Sequence, residues 1–146
     1  MEPIGLVQWR TEYESGIEEI DRQHKDIINT LNKIYWAIED NKAEGRIQEL
    51  LNAFDFYETE HFKLEEDYAE KYNFPRIKEL KNSHNFFKTT YKQLRQHYNE
   101  RVEIFQPEVQ EILHLHSIMN KWLSIHLITL DKELFDFLRE KIPPSP

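Results

Sequence analysis

Apolar positions recur every three or four residues along four stretches of the chain. The stretches run from Ile17 to Ile38, from Ile47 to Tyr68, from Ile77 to Tyr98 and from Val109 to Leu130. This spacing is typical of helices that bury one face, and no alternating pattern of the kind found in strands competes with it. Short breaks rich in Asp, Asn, Gly or Pro separate the stretches, at 40–45, at 73–75 and at Pro107.

Short connections make consecutive helices antiparallel neighbours. The pattern therefore predicts an all-α fold, an up-down-up-down antiparallel four-helix bundle. We expect a single domain over 1–146, with an extended arm at 1–16, the bundle at about 17–131 and a C-terminal segment at 132–146. Trp9 and Tyr13 are expected to anchor the arm. The apolar residues after Asp131 predict a short C-terminal helix or a continuation of the fourth helix.

Composition narrows the classes of function. The chain has 27 acidic and 19 basic residues and a net charge of -8, which disfavours binding to nucleic acid or to an anionic membrane. No apolar run approaches the roughly 20 residues of a transmembrane helix, and the N-terminus resembles no secretory signal. There is no cysteine, so a transition metal would be held by imidazole and carboxylate, and a cytoplasmic location is expected.

Four pairs of positions about one helical turn apart lie on the apolar stripes, and every member except Leu80 is an imidazole or a carboxylate. They are Asp21 and His24, His61 and Glu65, Leu80 and His84, and His126 and Asp131. Imidazole and carboxylate groups are costly to bury unless they are paired or bind a metal. For any one of these histidines a hydrogen-bonded core position is the better explanation. The whole set, spread over four helices, predicts a dinuclear metal site inside the bundle.

Spacing along the helices decides which of these side chains can meet. The expected ligands are His24, His61, Glu65, His84, His126 and Asp131. His61 and Glu65 are four residues apart and share a helix face. His126 and Asp131 are five apart, which on a regular α-helix rotates them by about 140°. We therefore expect Asp131 to lie near a helix end, where the chain loosens.

The same residues resemble motifs of the hemerythrin family in its single-domain bacterial form, the bacteriohemerythrins. The resemblance covers nearly the whole chain. It is carried by Trp9, Tyr13, Gly16-Ile17, Ile20-Asp21, Gln23-His24, the run His61-Phe62-Lys63-Leu64-Glu65-Glu66, the turn Tyr72-Asn73-Phe74-Pro75, Trp122-Leu123-Ser124-Ile125-His126 and Asp131-Lys132.

The resemblance implies a centre of two iron ions, joined by an oxo or hydroxo bridge, that binds dioxygen reversibly for storage, delivery or sensing. It implies that His24 and His61 hold the iron with an open coordination position, and that His84 and His126 hold the other. Glu65 and Asp131 would bridge the two. An apolar oxygen pocket is also implied, for which the candidates are Ile27, Trp122 and Leu123. Plain core packing explains each of these three equally well.

Leu80 departs from the family pattern, which has a histidine four residues before the one corresponding to His84. The other histidines are too remote to replace it: His97 lies roughly 20 Å beyond His84 along a helix, and His116 roughly 15 Å from His126. We therefore expect His97, His114 and His116 not to be ligands. Water or hydroxide could fill the vacant position, both irons could have an open position, or one metal could be lost.

Several functions stay open from the sequence. An oxygen-binding protein, with dioxygen as its partner, is the leading interpretation. A di-iron oxidase or peroxidase-like enzyme is the alternative, because a second open position would let peroxide bridge the metals. A signalling module in which the metal biases helix packing, and a structural bundle without metal, have weaker support. The sequence predicts no particular protein partner.

Overall fold

The computed structural model describes residues 8–43, 45–100 and 108–143, except for the side chains of 97–100, 108 and 109. Several predicted features lie outside the described residues. These are the first seven positions of the arm, the break at Pro107, the side chains of Tyr98, His97 and Val109, and the last three positions of the tail.

Four helical rods form the described part of the chain. The first rod is α1 (Glu18–Glu39). The second consists of α2 (Ile47–Phe56), a π-helical turn (Tyr57–His61) and α3 (Phe62–Lys71). The third is α4 (Ile77–Glu100), and the fourth consists of α5 (Glu108–His126), a second π-helical turn (Leu127–Asp131) and α6 (Lys132–Lys141). The predicted C-terminal helix is thus a continuation of the fourth rod.

The rods alternate in direction. One small apolar cluster brings together residues from the beginning of α1, the end of α3, the beginning of α4 and the middle of α6. Its buried members are Ile20, Ala69, Phe74, Leu80, Leu134, Phe135 and Leu138. Beginnings of the first and third rods therefore meet ends of the second and fourth, which confirms the predicted all-α bundle.

A larger apolar cluster fills the other part of the core. It includes Ile27 and Leu31 of α1, Leu51 of α2, Phe87 of α4 and Ile112 of α5. We call it the large cluster, and the one around Leu80 the small cluster. Fully burying an aliphatic or aromatic side chain contributes about 1.5–3 kcal/mol, so the two clusters together supply the main driving force for the bundle.

The N-terminal arm packs beside this core. Trp9 and Tyr13 are partly buried against the large cluster, and the Lys25 ammonium lies 5.0 Å from the centre of the Trp9 ring. Asp21 turns toward the arm, because its Oδ1 accepts hydrogen bonds of 2.8 Å from both the backbone N–H and the hydroxyl of Ser15. Asp21 is therefore used to fix the arm where α1 begins.

Candidate metal centre

A layer of polar side chains separates the large cluster from the small one. On each rod the polar residues lie between apolar neighbours of the two clusters, as His24 lies between Ile20 and Ile27. All six residues predicted as ligands belong to this layer, and each is at most 2% exposed: His24, His61, Glu65, His84, His126 and Asp131. Groups of this kind are rarely buried so deeply without charge partners or a metal.

The six side chains form two groups of four that share both carboxylates. One group is His24, His61, Glu65 and Asp131, and the other is Glu65, His84, His126 and Asp131. Within each group the atoms available for binding a cation lie within 4.8 Å of one another. Either group could therefore hold a metal cation, and the two positions would be adjacent.

Glu65 lies between three of the imidazoles. Its Oε2 is 3.4 Å from Nε2 of His24 and 3.3 Å from Nε2 of His61, whereas its Oε1 is 3.2 Å from Nε2 of His84. The two oxygens of one carboxylate thus face different groups. This is the geometry that a ligand bridging two cations requires.

Asp131 makes the same arrangement from the fourth rod. Its Oδ2 lies 3.3 Å from Nε2 of His24 and its Oδ1 lies 2.9 Å from Nε2 of His126. The π-helical turn Leu127–Asp131 places it there, because π-helical hydrogen bonds run from i to i+5 and five residues complete roughly one turn. The expectation that Asp131 lies near a helix end was wrong, since the helix continues through α6. The five-residue spacing was itself the signal of the π turn.

The polar layer contains many atoms without a hydrogen-bond partner among the described residues. They include both oxygens of Glu65 and of Asp131, and Nε2 of all four histidines. Leaving a buried polar group unpaired costs about 1–3 kcal/mol. Because these atoms converge and are oxygen and imidazole nitrogen, they fit a metal such as iron, manganese or zinc.

The electrostatics of the layer favour ionised carboxylates. Burial by itself would raise the pKa of Glu65, but the charge of His61 and the close imidazoles of His24 and His84 hold it well below its usual range. Burial would lower the pKa of His24 and of His84, but their carboxylate neighbours outweigh it and raise both pKa values to about 9. Without a metal, protons on His24 and His84 would therefore offset buried negative charge, and a bound cation would displace them.

Three of the four imidazoles are oriented by a hydrogen bond at Nδ1. The partners are Gln23 for His61 at 2.8 Å, Glu66 for His84 at 2.7 Å and Ser83 for His126 at 2.9 Å. Each partner comes from the preceding rod and adjoins a member of the polar layer in sequence. A hydrogen bond at Nδ1 directs Nε2 toward the carboxylates and favours the tautomer that binds a metal. Sequence reasoning missed these partners, although their adjacency to the expected ligands offered a signal.

Aromatic rings stack on the same three imidazoles. The stacked pairs are Tyr57 on His61 at 4.4 Å, Phe62 on His84 at 3.9 Å and Trp122 on His126 at 4.4 Å between ring centres. His24 instead has Phe135 at 5.5 Å in a tilted arrangement. The rings cover the faces of these imidazoles and contribute to the burial of the layer.

The three residues predicted to line an oxygen pocket lie in different parts of the site. Trp122 stacks on His126, whereas Ile27 lines a cavity beside Gln23, next to the group that contains His24. Leu123 is buried in the large cluster. Ile27 thus borders a cavity next to the half of the site where the family resemblance implies an open position.

Leu80 is fully buried in the small cluster. Its aliphatic side chain offers no ligand atom, so each four-residue group has two imidazoles. Of the remaining histidines, His114 is exposed and His116 is buried with its Nε2 2.8 Å from the Leu31 carbonyl. This hydrogen bond accounts for His116 on the inward face of α5 without a metal.

Comparisons with known proteins agree with this geometry. The hemerythrin HHE cation binding domain matches residues 15–138. A bacteriohemerythrin of Stenotrophomonas maltophilia (strain R551-3) is 29% identical over 72 residues, which are 49% of this chain and 46% of that protein. The alignment thus spans about half the length of that relative. Within the described residues, no helix is long and apolar enough to cross a membrane. Because the domain match extends over most of the chain, the protein belongs to the hemerythrin family.

Proposed function

We propose that this protein binds two iron ions in the polar layer and binds dioxygen there reversibly, for storage, delivery or sensing. In this proposal His24 and His61 hold one iron and His84 and His126 hold the other. Glu65 and Asp131, which belong to both four-residue groups, would be shared between the two irons. The observation that carries the proposal is the pair of four-residue groups that share both carboxylates.

The protein's own residues would hold and isolate the metal pair. Gln23, Glu66 and Ser83 orient three of the imidazoles, and the stacked rings cover the faces of these imidazoles. When bound, the two irons supply the electrons that dioxygen needs in order to bind. A dry, apolar surrounding favours reversible binding, because it slows the side reactions of a reduced centre with water and protons.

Leu80 modifies this proposal at the half held by His84 and His126. That half has two imidazoles and two shared carboxylates, as the other half has. Leu80, which stands where the family pattern has a histidine, is 0% exposed. We expect water or hydroxide to complete the coordination of this iron and dioxygen to bind at the His24–His61 half, which adjoins the cavity lined by Ile27.

Metal analysis combined with an absorption spectrum tests the proposal. The purified chain is loaded with ferrous iron without oxygen, and iron per chain is measured. Spectra are then recorded through cycles of adding and removing oxygen. We expect two irons per chain and a spectrum that returns to its starting form in each cycle. His61→Ala should lose iron and the spectral change, whereas His114→Ala, at an exposed histidine of α5, should keep both.

Two results would contradict the proposal. Fewer than two irons per chain after anaerobic loading would remove the dinuclear centre. Two irons that oxidise irreversibly, with steady consumption of peroxide and a reductant, would instead indicate an enzyme and exclude reversible binding as the function.

A further inference from the structure

Tyr57 is a buried tyrosine whose hydroxyl has no hydrogen-bond partner among the described residues. The residue is 1% exposed, and buried tyrosine hydroxyls usually find a partner. Phenylalanine occupies comparable buried positions nearby on the same rod, at Phe54 and Phe62. Phenylalanine at this position would avoid the cost of an unpaired hydroxyl. The presence of tyrosine therefore indicates a hydrogen-bond partner that the protein itself does not supply.

The position of Tyr57 identifies where that partner would lie. Its ring stacks on the imidazole of His61 with planes 12° apart, and its centre is 6.4 Å from that of the His24 ring. The Tyr57 ring therefore lies against the His24–His61 half, and its hydroxyl, unpaired within the described part of the chain, is a donor beside that half.

A cavity of about 150 Å³ reaches Tyr57 from the surface between α1 and α2. Its walls include Gln23, Ile27, Ala53, Phe56 and Tyr57. Gln23 also contacts Nδ1 of His61 at 2.8 Å. Gln23 and Tyr57 thus line the cavity and also contact His61 of the polar layer.

We propose that the Tyr57 hydroxyl donates a hydrogen bond to a small ligand held in the His24–His61 half, and that this cavity is the ligand's route of entry. The ligand is dioxygen or a small anion such as azide, whose terminal atom accepts a hydrogen bond. The inference rests on the proposed function, because a metal must hold the ligand. It makes Tyr57 a residue that selects ligands with an acceptor atom.

Azide binding to the oxidised, iron-loaded protein tests the role of Tyr57. Tyr57→Phe removes only the hydroxyl, so we expect iron content to stay the same and azide affinity, followed by absorption, to fall about tenfold, which corresponds to 1.4 kcal/mol. Azide binding needs no reversible oxygenation. A failure of oxygen cycling therefore does not affect this measurement.

Tyr91→Phe is the matched control, since Tyr91 is also buried but lies elsewhere in the core. Its hydroxyl donates to the Leu51 carbonyl at 2.9 Å and to Asp55 at 2.6 Å. We expect Tyr91→Phe to leave azide affinity unchanged and to lower the unfolding temperature. Tyr57→Phe should not lower the unfolding temperature of the metal-free protein, because its hydroxyl has no protein partner to lose.

Equal azide affinity in the Tyr57→Phe variant and the natural protein would overturn the donor role. So would an absorption band of the azide-free oxidised protein that disappears in Tyr57→Phe, because Tyr57 would then be a metal ligand.

The variant Ala53→Leu tests the route of entry. It narrows the cavity and should slow azide association several-fold at unchanged affinity. An unchanged rate would overturn the route. Failure to bind iron at all would overturn the proposed function, and this inference with it.

Discussion

Leu80 shows how one side chain links the polar layer to the apolar core. It lies one helical turn before His84 on α4 and is fully buried among aliphatic and aromatic residues of the small cluster. The same position can therefore stabilise the bundle by apolar burial or supply an imidazole to the metal pair, but not both. In this chain it contributes to packing, and the group held by His84 and His126 has one ligand fewer than the family pattern.

Replacing Leu80 with histidine should reverse that balance. Leu80→His places an imidazole beside His84, so we expect slower loss of iron to a chelator. Burying a polar ring in the small cluster should lower the stability of the metal-free form by about 1–3 kcal/mol. Chelator challenge and urea unfolding measure the two effects. Leu80→Met, which keeps the volume and adds no nitrogen, is the control. Equal iron loss in all three proteins would mean that this position does not reach the metal.

Glu66 contributes through the imidazole that it orients. Its carboxylate contacts Nδ1 of His84 at 2.7 Å, and a carboxylate at this atom makes the other nitrogen a better ligand. Glu66→Gln keeps the size of the side chain but removes the charge. We expect iron affinity to fall about 10–100-fold, the usual effect of losing such a partner.

Asp67→Asn provides the comparison for Glu66→Gln, because it removes the adjacent carboxylate in an exposed pair with Lys63. Exposed pairs of this kind contribute little. Iron affinities are obtained by competition with a chelator of known affinity. The same loss in both variants would show that net charge, and not the contact with His84, controls iron binding.

At the scale of the helices, two π-helical turns set the geometry of the site. Tyr57–His61 ends on one polar-layer residue, and Leu127–Asp131 ends on another. Each turn contains a threonine whose hydroxyl donates to the carbonyl four residues earlier: Thr59 to Asp55 at 2.8 Å and Thr129 to Ile125 at 2.7 Å. Hydrogen bonds of this type accompany bends and irregularities in helices. Each π-helical turn holds one residue more than an α-helical turn would. The helices on either side of it keep the same buried face.

Deleting one residue from a π turn should therefore be tolerated. Without Thr129, the segment can form a regular α-helix in which His126 and the aspartate are four residues apart, as His61 and Glu65 are. The buried face of α6 then stays in place. We expect the deletion variant to unfold cooperatively and to bind iron within a few-fold of the natural protein.

Deleting Ser117, an exposed residue in the regular part of α5, gives the opposite expectation. Each residue of an α-helix turns it by about 100°, so this deletion would rotate one half of the fourth rod relative to the other. Circular dichroism on heating and iron quantification compare the two variants. If both lose their cooperative transition, the π turn does not account for the placement of Asp131.

At the scale of the molecule, the sequence predicts the bundle well. Burying one face of each helix imposes a helical spacing on the apolar residues. The stripes locate the four rods, and the costly polar groups on them mark the layer containing His24, His84 and Asp131. The resemblance to the hemerythrin family then groups the residues into two halves. The π turns were not predicted, because the apolar spacing was interpreted with the α-helical period. Partners such as Gln23 and Glu66 were missed, since their roles depend on contacts between rods.

The polar layer also separates the apolar core into two clusters. It lies between the large cluster and the small cluster around Leu80, in which seven of the described residues are buried. Under the proposed function, removing the metals would leave the carboxylates and imidazoles of the layer without the cations that they bind in common. A ligand that binds only the folded state contributes about 4 kcal/mol when present at 1,000 times its dissociation constant. The small cluster has fewer apolar contacts than the large cluster. Its local stability should therefore fall the most when the metals are removed.

Hydrogen exchange with and without iron tests this consequence. We expect iron removal to accelerate exchange at backbone amides near Ala69, Leu80 and Leu134 by about tenfold or more, equivalent to 1.4 kcal/mol. Amides near Leu51 and Ile112, in the large cluster, should change less. Restoring ferrous iron should reverse the effect, whereas Ca²⁺, which prefers oxygen ligands only, should not. Uniform acceleration across both clusters would show that the bundle opens as one unit and that the polar layer does not divide it.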